Sequence, residues 1–437
     1  MRRAHEREQA VGIGVYATET PGIGGQLRQQ PADFRVRELE RFDPEPVTAD
    51  EDAYAHLVVR ATLTNWDTND FANTLSNRLG ISRERIAWAG TKDRQAVTTQ
   101  LFTIEGVRAD SLPSIPRAEL TVVGRAGRAL QFGDLVGNEF SVVIRGVTDA
   151  GRAHEIADSL RAQGGPDRVT VPNFFGQQRF GSRRPITHEV GKRILKRDWE
   201  GAVMTYVGQS FETEPAATRA AREFVEETRE WGRAIEKFPD GLRYERALLS
   251  ALASGDDFET ALEALPWNLR RLFVHAVQSA IFNRILTRRL EDDQALDSPS
   301  AGDVVCFSEE RAGLTIPDPD AVQRVAESQV ETVTRHCQRG RAFLTAPLVG
   351  TETAFGEGEP DAIAQDILEE MGIQREDFAL PDPYGSTGTR RALCVYSQLT
   401  LQTDEPAATV DTGFSLPKGA YATALLREFL KGDPSAL

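Results

Sequence analysis

Residues 89 to 100 read Ala89-Gly90-Thr91-Lys92-Asp93-Arg94-Gln95-Ala96-Val97-Thr98-Thr99-Gln100, and the rest of the chain can be read outward from them. Ile86-Ala87-Trp88-Ala89 is short and apolar, Gly90 supplies a turn, and Val97 to Ile104 is rich in β-branched and apolar residues, so the order strand, loop, strand is expected. Asp93 then falls in an exposed turn between two cations, Lys92 and Arg94. A cation within a few ångströms lowers a carboxyl pKa by roughly 1–3 units, which keeps the carboxylate ionised and able to attack carbon. Local sequence alone also fits a solvated loop, the ordinary place for such a charged triplet.

Around this stretch the signals alternate between strand and helix. Asp67 can cap a helix whose Phe71, Leu75 and Leu79 recur at helical spacing, and Gly80 ends it. Strands are expected near Leu120-Thr121-Val122-Val123 and from Glu139 to Arg145, then a helix over about 153–162. Without a regular βαβ rhythm this is a mixed α+β sheet domain. Gly164-Gly165-Pro166-Asp167 is a natural break. Beyond it lie helical stretches, a long helix from Trp267 to Leu290 with Leu272, Phe273, Ala276, Val277, Ala280 and Ile281 on its core side, and a polar loop from Glu291 to Gly302. The chain ends with an expected helix from Pro417 to Lys431, opened by proline and stopped by Gly432.

At 437 residues the chain can hold two cores, and a hydrophobic fraction of 40% makes it globular. A net charge of −15 runs against ordinary phosphate binding. The only lysines are Lys92, Lys192, Lys196, Lys237, Lys418 and Lys431, so arginine carries most of the positive charge. That balance points to a cytosol of very high salt, where the Debye length is about 3 Å at 1 M and surface carboxylates no longer repel one another. Cys306, Cys337 and Cys394 are far apart and form neither a disulfide framework nor a zinc motif. The basic start lacks an apolar run, and no stretch approaches the roughly 18 apolar residues of a spanning helix, so a soluble cytoplasmic protein without a membrane role is expected. No dinucleotide loop, phosphate loop or His-Glu-x-x-His motif occurs, and no cofactor or metal is expected.

The Ala89–Gln100 segment resembles the signature of the TruD family of tRNA pseudouridine synthases, a pattern close to Ala-Gly-x-Lys-Asp-Arg-x-Ala-Val-Thr-x-Gln whose aspartate is catalytic. Other family-like blocks follow in order: Leu27 to Glu38, Gly133 to Arg145 with Gly137-Asn138-Glu139-Phe140, Asn173 to Gly181, His275 to Asn283, and Leu416 to Thr423. Arg28 departs from the lysine common in the family, keeping the charge in a bulkier planar group. The resemblance implies a pseudouridine-synthase catalytic domain over 1–168 and 391–437, with a mixed, largely antiparallel sheet and flanking helices. An α/β TRUD insertion domain over 169–390 interrupts it. It also implies a tRNA substrate and uridine at position 13; no obligatory protein partner is evident, and the acidic, lysine-poor composition points to a halophilic archaeon as the source.

The reaction so implied needs no cofactor. Uracil leaves C1′ through N1, turns, and rejoins through C5. An ionised aspartate can add to C1′ or to base C6, or can draw the C2′ proton so that a glycal forms, and the sequence leaves these open. Flipping the uridine out of its stack costs a few kcal/mol, so the base needs a holder. By resemblance, Phe140 is a stacking platform, Asn138 a hydrogen-bond partner and Arg28 the cation that pairs with Asp93. Lys92, Arg94 and Phe34 complete that side. Asn173, Phe175, Gln178 and Arg179, from a block mixing aromatics, amides and arginine between glycines, are expected at the RNA. Phe140 and Phe34 equally suit a strand core. Two other functions compete: an inactive RNA-binding module, which the intact Lys92-Asp93-Arg94 argues against, and a glycosidic hydrolase, which needs a second acid that this segment lacks.

Overall fold

A computed structural model describes residues 1–92, 94–164 and 168–434. Asp93 and the Gly165–Asp167 part of the expected break lie outside the described residues. The strands in chain order are β1 (Gly24–Gln26), β2 (Phe34–Glu40), β3 (His56–Thr64), β4 (Ile86–Trp88), β5 (Val97–Glu105), β6 (Ala118–Ala126), β7 (Leu135–Val147), β8 (Val169–Pro172), β9 (Val304–Arg311), β10 (Leu314–Arg324), β11 (Ala342–Leu348), β12 (Thr389–Ala392), β13 (Cys394–Ser397), β14 (Leu399–Asp404) and β15 (Thr409–Pro417). The large sheet runs β14-β15-β7-β2-β5-β3-β6, with β1 added to β7 and β4 to β5. Within it β2 and β5 are parallel and the other pairs antiparallel, the mixed sheet expected of the α+β class.

Side chains alternate along these strands, so register decides what shares a face. Leu63 lies opposite Thr98, Thr98 beside Val36, Val36 opposite Phe140, and Phe140 opposite Phe414. One end of that face is covered by the helix Thr68–Leu79, whose Phe71 and Leu75 bury against Leu57, Val59, Ala61 and Leu63. Asp67 caps it through the backbone N–H groups of Asn69 and Asp70, at 2.8 and 3.2 Å, and Gly80 ends it at φ +66°. The other end is covered by the helices Gly151–Gly164 and Ala422–Leu430, packed on Phe140, Val142, Ile144 and Val410. Between the two helical layers β2 presents Glu38, in register with Asn138 of β7. A polar row therefore runs between two apolar cores.

The second body is built from helices including Thr187–Leu195 and Trp199–Val207, the long helix Trp267–Glu291, and a sheet in the order β10-β9-β11-β12. The long helix is buried along most of its length from Phe273 to Leu290, as its apolar spacing predicts. Strands β8 and β13 pair as an antiparallel ribbon at the junction. Val169, Val171 and Val395 join the core of the large sheet, while Cys394 and Tyr396 join that of the helical body. Val11, Ile13 and Val15 also belong to the helical core, although they lie in the segment expected to be catalytic domain throughout. Gly12 makes that crossing possible: at φ +87°, a Cβ there would stand 2.8 Å from the carbonyl oxygen of Ala280 on the long helix.

The C-terminal helix differs from expectation. It starts at Ala422, because Leu416 and Pro417 continue β15 opposite Asn138 and Gly137. A proline at the end of a ladder gives up only one donor, and Gly419 at φ +85° then turns the chain into the helix. The end is Leu430, with Lys431 itself in the left-handed region at φ 45°.

Candidate active site

The loop that carries Asp93 is held from three sides. Lys92 donates its backbone N–H to Thr68 Oγ1 at 2.9 Å, Gln100 Nε2 donates to Gly90 O at 2.9 Å, and Asn65 N–H donates to Ala96 O at 3.1 Å. Thr68 Oγ1 in turn donates to Gln100 Oε1 at 3.3 Å, joining the helix start to β5. The Lys92 ammonium is paired with Glu38, whose carboxylate is only 1% exposed on the polar row. Burial raises the Glu38 carboxyl above its ordinary range, and Lys92 opposes that rise. Gly90 sits so close that a Cβ there would be 2.8 Å from Glu38 Oε1. Lys92 thus serves as an internal anchor for the loop, while Arg94 is exposed. The Lys92 ammonium, expected at the substrate, is engaged by Glu38 inside the protein in this structure.

Beside this anchor, Asn138 keeps its Oδ1 buried and without a hydrogen-bond partner among the described residues. An orphaned buried acceptor costs on the order of 1–3 kcal/mol unless something donates to it. The N–H groups of a base are suitable donors. Phe140 is less open than expected: it is 8% exposed, stacked on Phe414 at 5.1 Å and met edge-on by Phe34 at 6.2 Å. Arg28, at φ 57°, places its guanidinium 4.2 Å from the Phe34 ring centre. The expected free stacking face at Phe140 is therefore part of an aromatic cluster, Phe34-Phe140-Phe414, at the margin of the polar row. Phe140 and Phe414 also border a groove on the sheet with Arg35, Arg37 and Ser141.

The Asn173 to Gly181 block divides. Asn173 is buried, donates from Nδ2 to Ala392 O at 2.9 Å and accepts from Arg391 Nη2 at 2.5 Å. The Phe175 backbone is bracketed by Asn283, which accepts from its N–H at 2.9 Å and donates to its carbonyl at 3.0 Å. The Phe175 ring is buried beneath the Arg391 guanidinium at 4.0 Å. These two residues, expected at the RNA, are buried in this structure and brace the junction. Arg179 is half-buried, and burial pulls its guanidinium below the usual range. Gln178 is exposed and lines a cleft of about 550 Å³ with Arg28, Gln95, Arg183, Thr423 and Arg427. That cleft lies between the two bodies and reaches Gln95, two residues from Asp93.

Sequence reasoning missed Glu38, Phe414 and Arg391. Glu38 ends the Leu27–Glu38 block and alternates with Phe34 and Val36 toward the core, so an acid at a core position was the available signal. Phe414 carried none until the pairing of β15 with β7 put it on Phe140. Among the described residues no group of three or more His, Cys, Asp or Glu is placed to hold a metal, and no helix is long and apolar enough to cross a membrane.

With this geometry in place, comparison with known proteins is direct. The family model for tRNA pseudouridine synthase D (TruD) matches residues 10–429. The chain is 53% identical over its full length to a protein of Halobacterium salinarum named "probable tRNA pseudouridine synthase D", covering all of both chains. It is 54% identical, again over all of both chains, to the protein of that name from Natronomonas pharaonis. A crystal structure of a Methanosarcina mazei protein described as a "Putative tRNA pseudouridine synthase D (TruD)" superposes with a TM-score of 0.84 at 37% identity, covering 99% of this chain and 100% of that one.

Proposed function

This chain belongs to the TruD family of tRNA pseudouridine synthases, and we propose that it isomerises uridine 13 of tRNA with Asp93 as the reacting carboxylate. The observation that carries the proposal is the family match across 10–429 together with the site it encloses: a loop fixed at Gly90, Lys92 and Ala96, next to a buried acceptor that has no donor among the described residues. In the reaction the bond from C1′ to N1 breaks, the base turns, and C1′ bonds to C5. The C5 proton leaves and N1 gains one, so no electrons are exchanged. The carboxylate can act by adding to C1′ or C6 or by taking the C2′ proton.

In this reading the chain supplies positions rather than a cofactor. The Lys92–Glu38 pair and Thr68 hold the loop backbone so that the Asp93 carboxylate meets the ribose. Asn138 Oδ1 accepts from a base N–H, and the Phe34-Phe140-Phe414 cluster forms the apolar side of the base site. Arg28 is the cation assigned to Asp93. Gln178 faces the RNA strand along the cleft, and Arg179 and Arg94, next in sequence to the lining residues Gln178 and Gln95, contact it at the cleft's edge. The domain scheme proposed is a catalytic unit of 1–168 and 391–437 with an insertion over 169–390, the segment 11–15 of the first packing on the second. tRNA is the proposed partner and the cytoplasm the proposed compartment. The acidic surface suits high salt, where stacking and hydrogen bonds carry binding because counterion release contributes little.

The test is carbodiimide mapping by primer extension on unmodified tRNA incubated with the protein in molar KCl. A single new stop at uridine 13 is expected. A stop at another uridine refutes the position, and no stop refutes the activity.

A further inference from the structure

Among the described residues, Phe132 is the most exposed large apolar side chain, at 79%. It stands at the tip of a turn that is tied down on every side. Asp134 N–H donates to Gln131 O at 3.0 Å, and the Asp134 carboxylate accepts from Gln131 N–H at 2.8 Å and Arg128 Nη1 at 2.6 Å. Gly133, at φ +98°, donates its N–H to Ala89 O at 2.7 Å, at the start of the Asp93 loop, and accepts from Lys418 Nζ at 3.1 Å. Arg41 N–H donates to Asp134 O at 3.2 Å. The backbone that carries the ring is therefore fixed by the turn, which lowers the cost of binding to it. The fold gains nothing from that exposure.

Beside the turn a cleft of about 510 Å³ carries Arg41, Arg311 and Lys418 on its wall, together with Glu309 and Asp320. An exposed aromatic ring next to cations is the arrangement that holds single-stranded RNA, with the base on the ring and the phosphate on the cation. Extruding a uridine uncovers the face of its neighbour, and an exposed ring on a fixed turn next to the catalytic loop can cover it.

Resting on the tRNA-modifying reading above, we infer that Phe132 stacks on an RNA base neighbouring the extruded uridine, with the adjoining phosphate at Arg41 and Lys418. The site would take an unstacked nucleotide. Its ring contact is insensitive to salt, which matters for a chain of net charge −15.

The experiment compares the full-length wild type, F132A and F132W for tRNA binding and for the KM and kcat of pseudouridine formation, in molar KCl. F132A should bind tRNA more weakly and raise KM, each by about tenfold, within the range of one lost base–aromatic stack. F132W should restore both, and all three proteins should share one thermal midpoint because the ring makes no core contact. The deficit should persist as KCl is raised. Binding and turnover by F132A equal to wild type, or an F132W as impaired as F132A, would overturn the inference, leaving the exposed ring to a protein partner. Absence of product from the wild type would instead overturn the reading on which it rests.

Discussion

Replacing Lys92 by methionine removes the cation that compensates Glu38. The Glu38 side chain is 1% exposed and the Lys92 side chain 9%, so the pair is effectively interior. Taking one partner from a buried pair costs about 3–5 kcal/mol, because the other charge stays behind without water. Glu38→Gln should cost less, since the free ammonium is closer to solvent than the carboxylate. The double variant, Lys92→Met with Glu38→Gln, should recover much of the loss. The pH dependence follows from Glu38, whose carboxyl is raised by burial and brought down by Lys92. Without Lys92 it rises further, so between the unfolded and the folded pKa the folded state holds a proton that the unfolded chain has released. Stability of Lys92→Met then falls as pH rises through the folded pKa, and the deficit shrinks as pH is lowered. Urea unfolding at a series of pH values in constant molar KCl reads this directly. Single variants within about 0.5 kcal/mol of wild type at neutral pH, the range of ordinary surface changes, would refute the anchoring role of the pair.

Three further outcomes follow from the same geometry. Asn138→Ala should lower product formation by about 10- to 100-fold, the worth of one buried hydrogen bond, without lowering the urea midpoint, because its Oδ1 has no internal partner to lose; full activity would remove it from the base site. Asn283→Ala should destabilise by several kcal/mol, about 1–3 for each buried group left unpaired, since Asn283 bonds the Phe175 N–H, the Phe175 carbonyl and the Val11 carbonyl; a change under about 1 kcal/mol would contradict that. Burial first, then Arg179 and Arg271, pull His275 from 6.5 down to about 4, so its share of stability is present above 6.5 and lost as pH falls toward 4. His275→Gln should flatten stability across that interval in urea titrations, and an unchanged slope would contradict the shift.

Elements whose signals are local were legible in the sequence. The Asp67 cap, the Phe71–Leu75–Leu79 spacing and Gly80 are read within one helix, and that helix is found at Thr68–Leu79. The Trp267–Glu291 helix was legible for the same reason. Features fixed by long-range pairing were not. Pro417 reads as a helix start until β15 is known to pair with β7, which places it at the end of a strand. Asn173 and Phe175 look like exposed RNA contacts in a Gly-rich block, yet Arg391 and Asn283, more than 100 residues away, turn both inward. Phe140 and Phe414 are 274 residues apart and meet only across the sheet, so a platform and a buried cluster cannot be told apart from sequence.

The most direct measurement is pseudouridine formation by Asp93→Asn, which keeps the size of the side chain while removing its charge and its nucleophilic oxygen. Mapped on the same tRNA beside a binding assay, the variant should give no product while tRNA affinity stays near that of wild type. Pseudouridine made by Asp93→Asn at the wild-type rate would contradict the assignment of the reacting carboxylate.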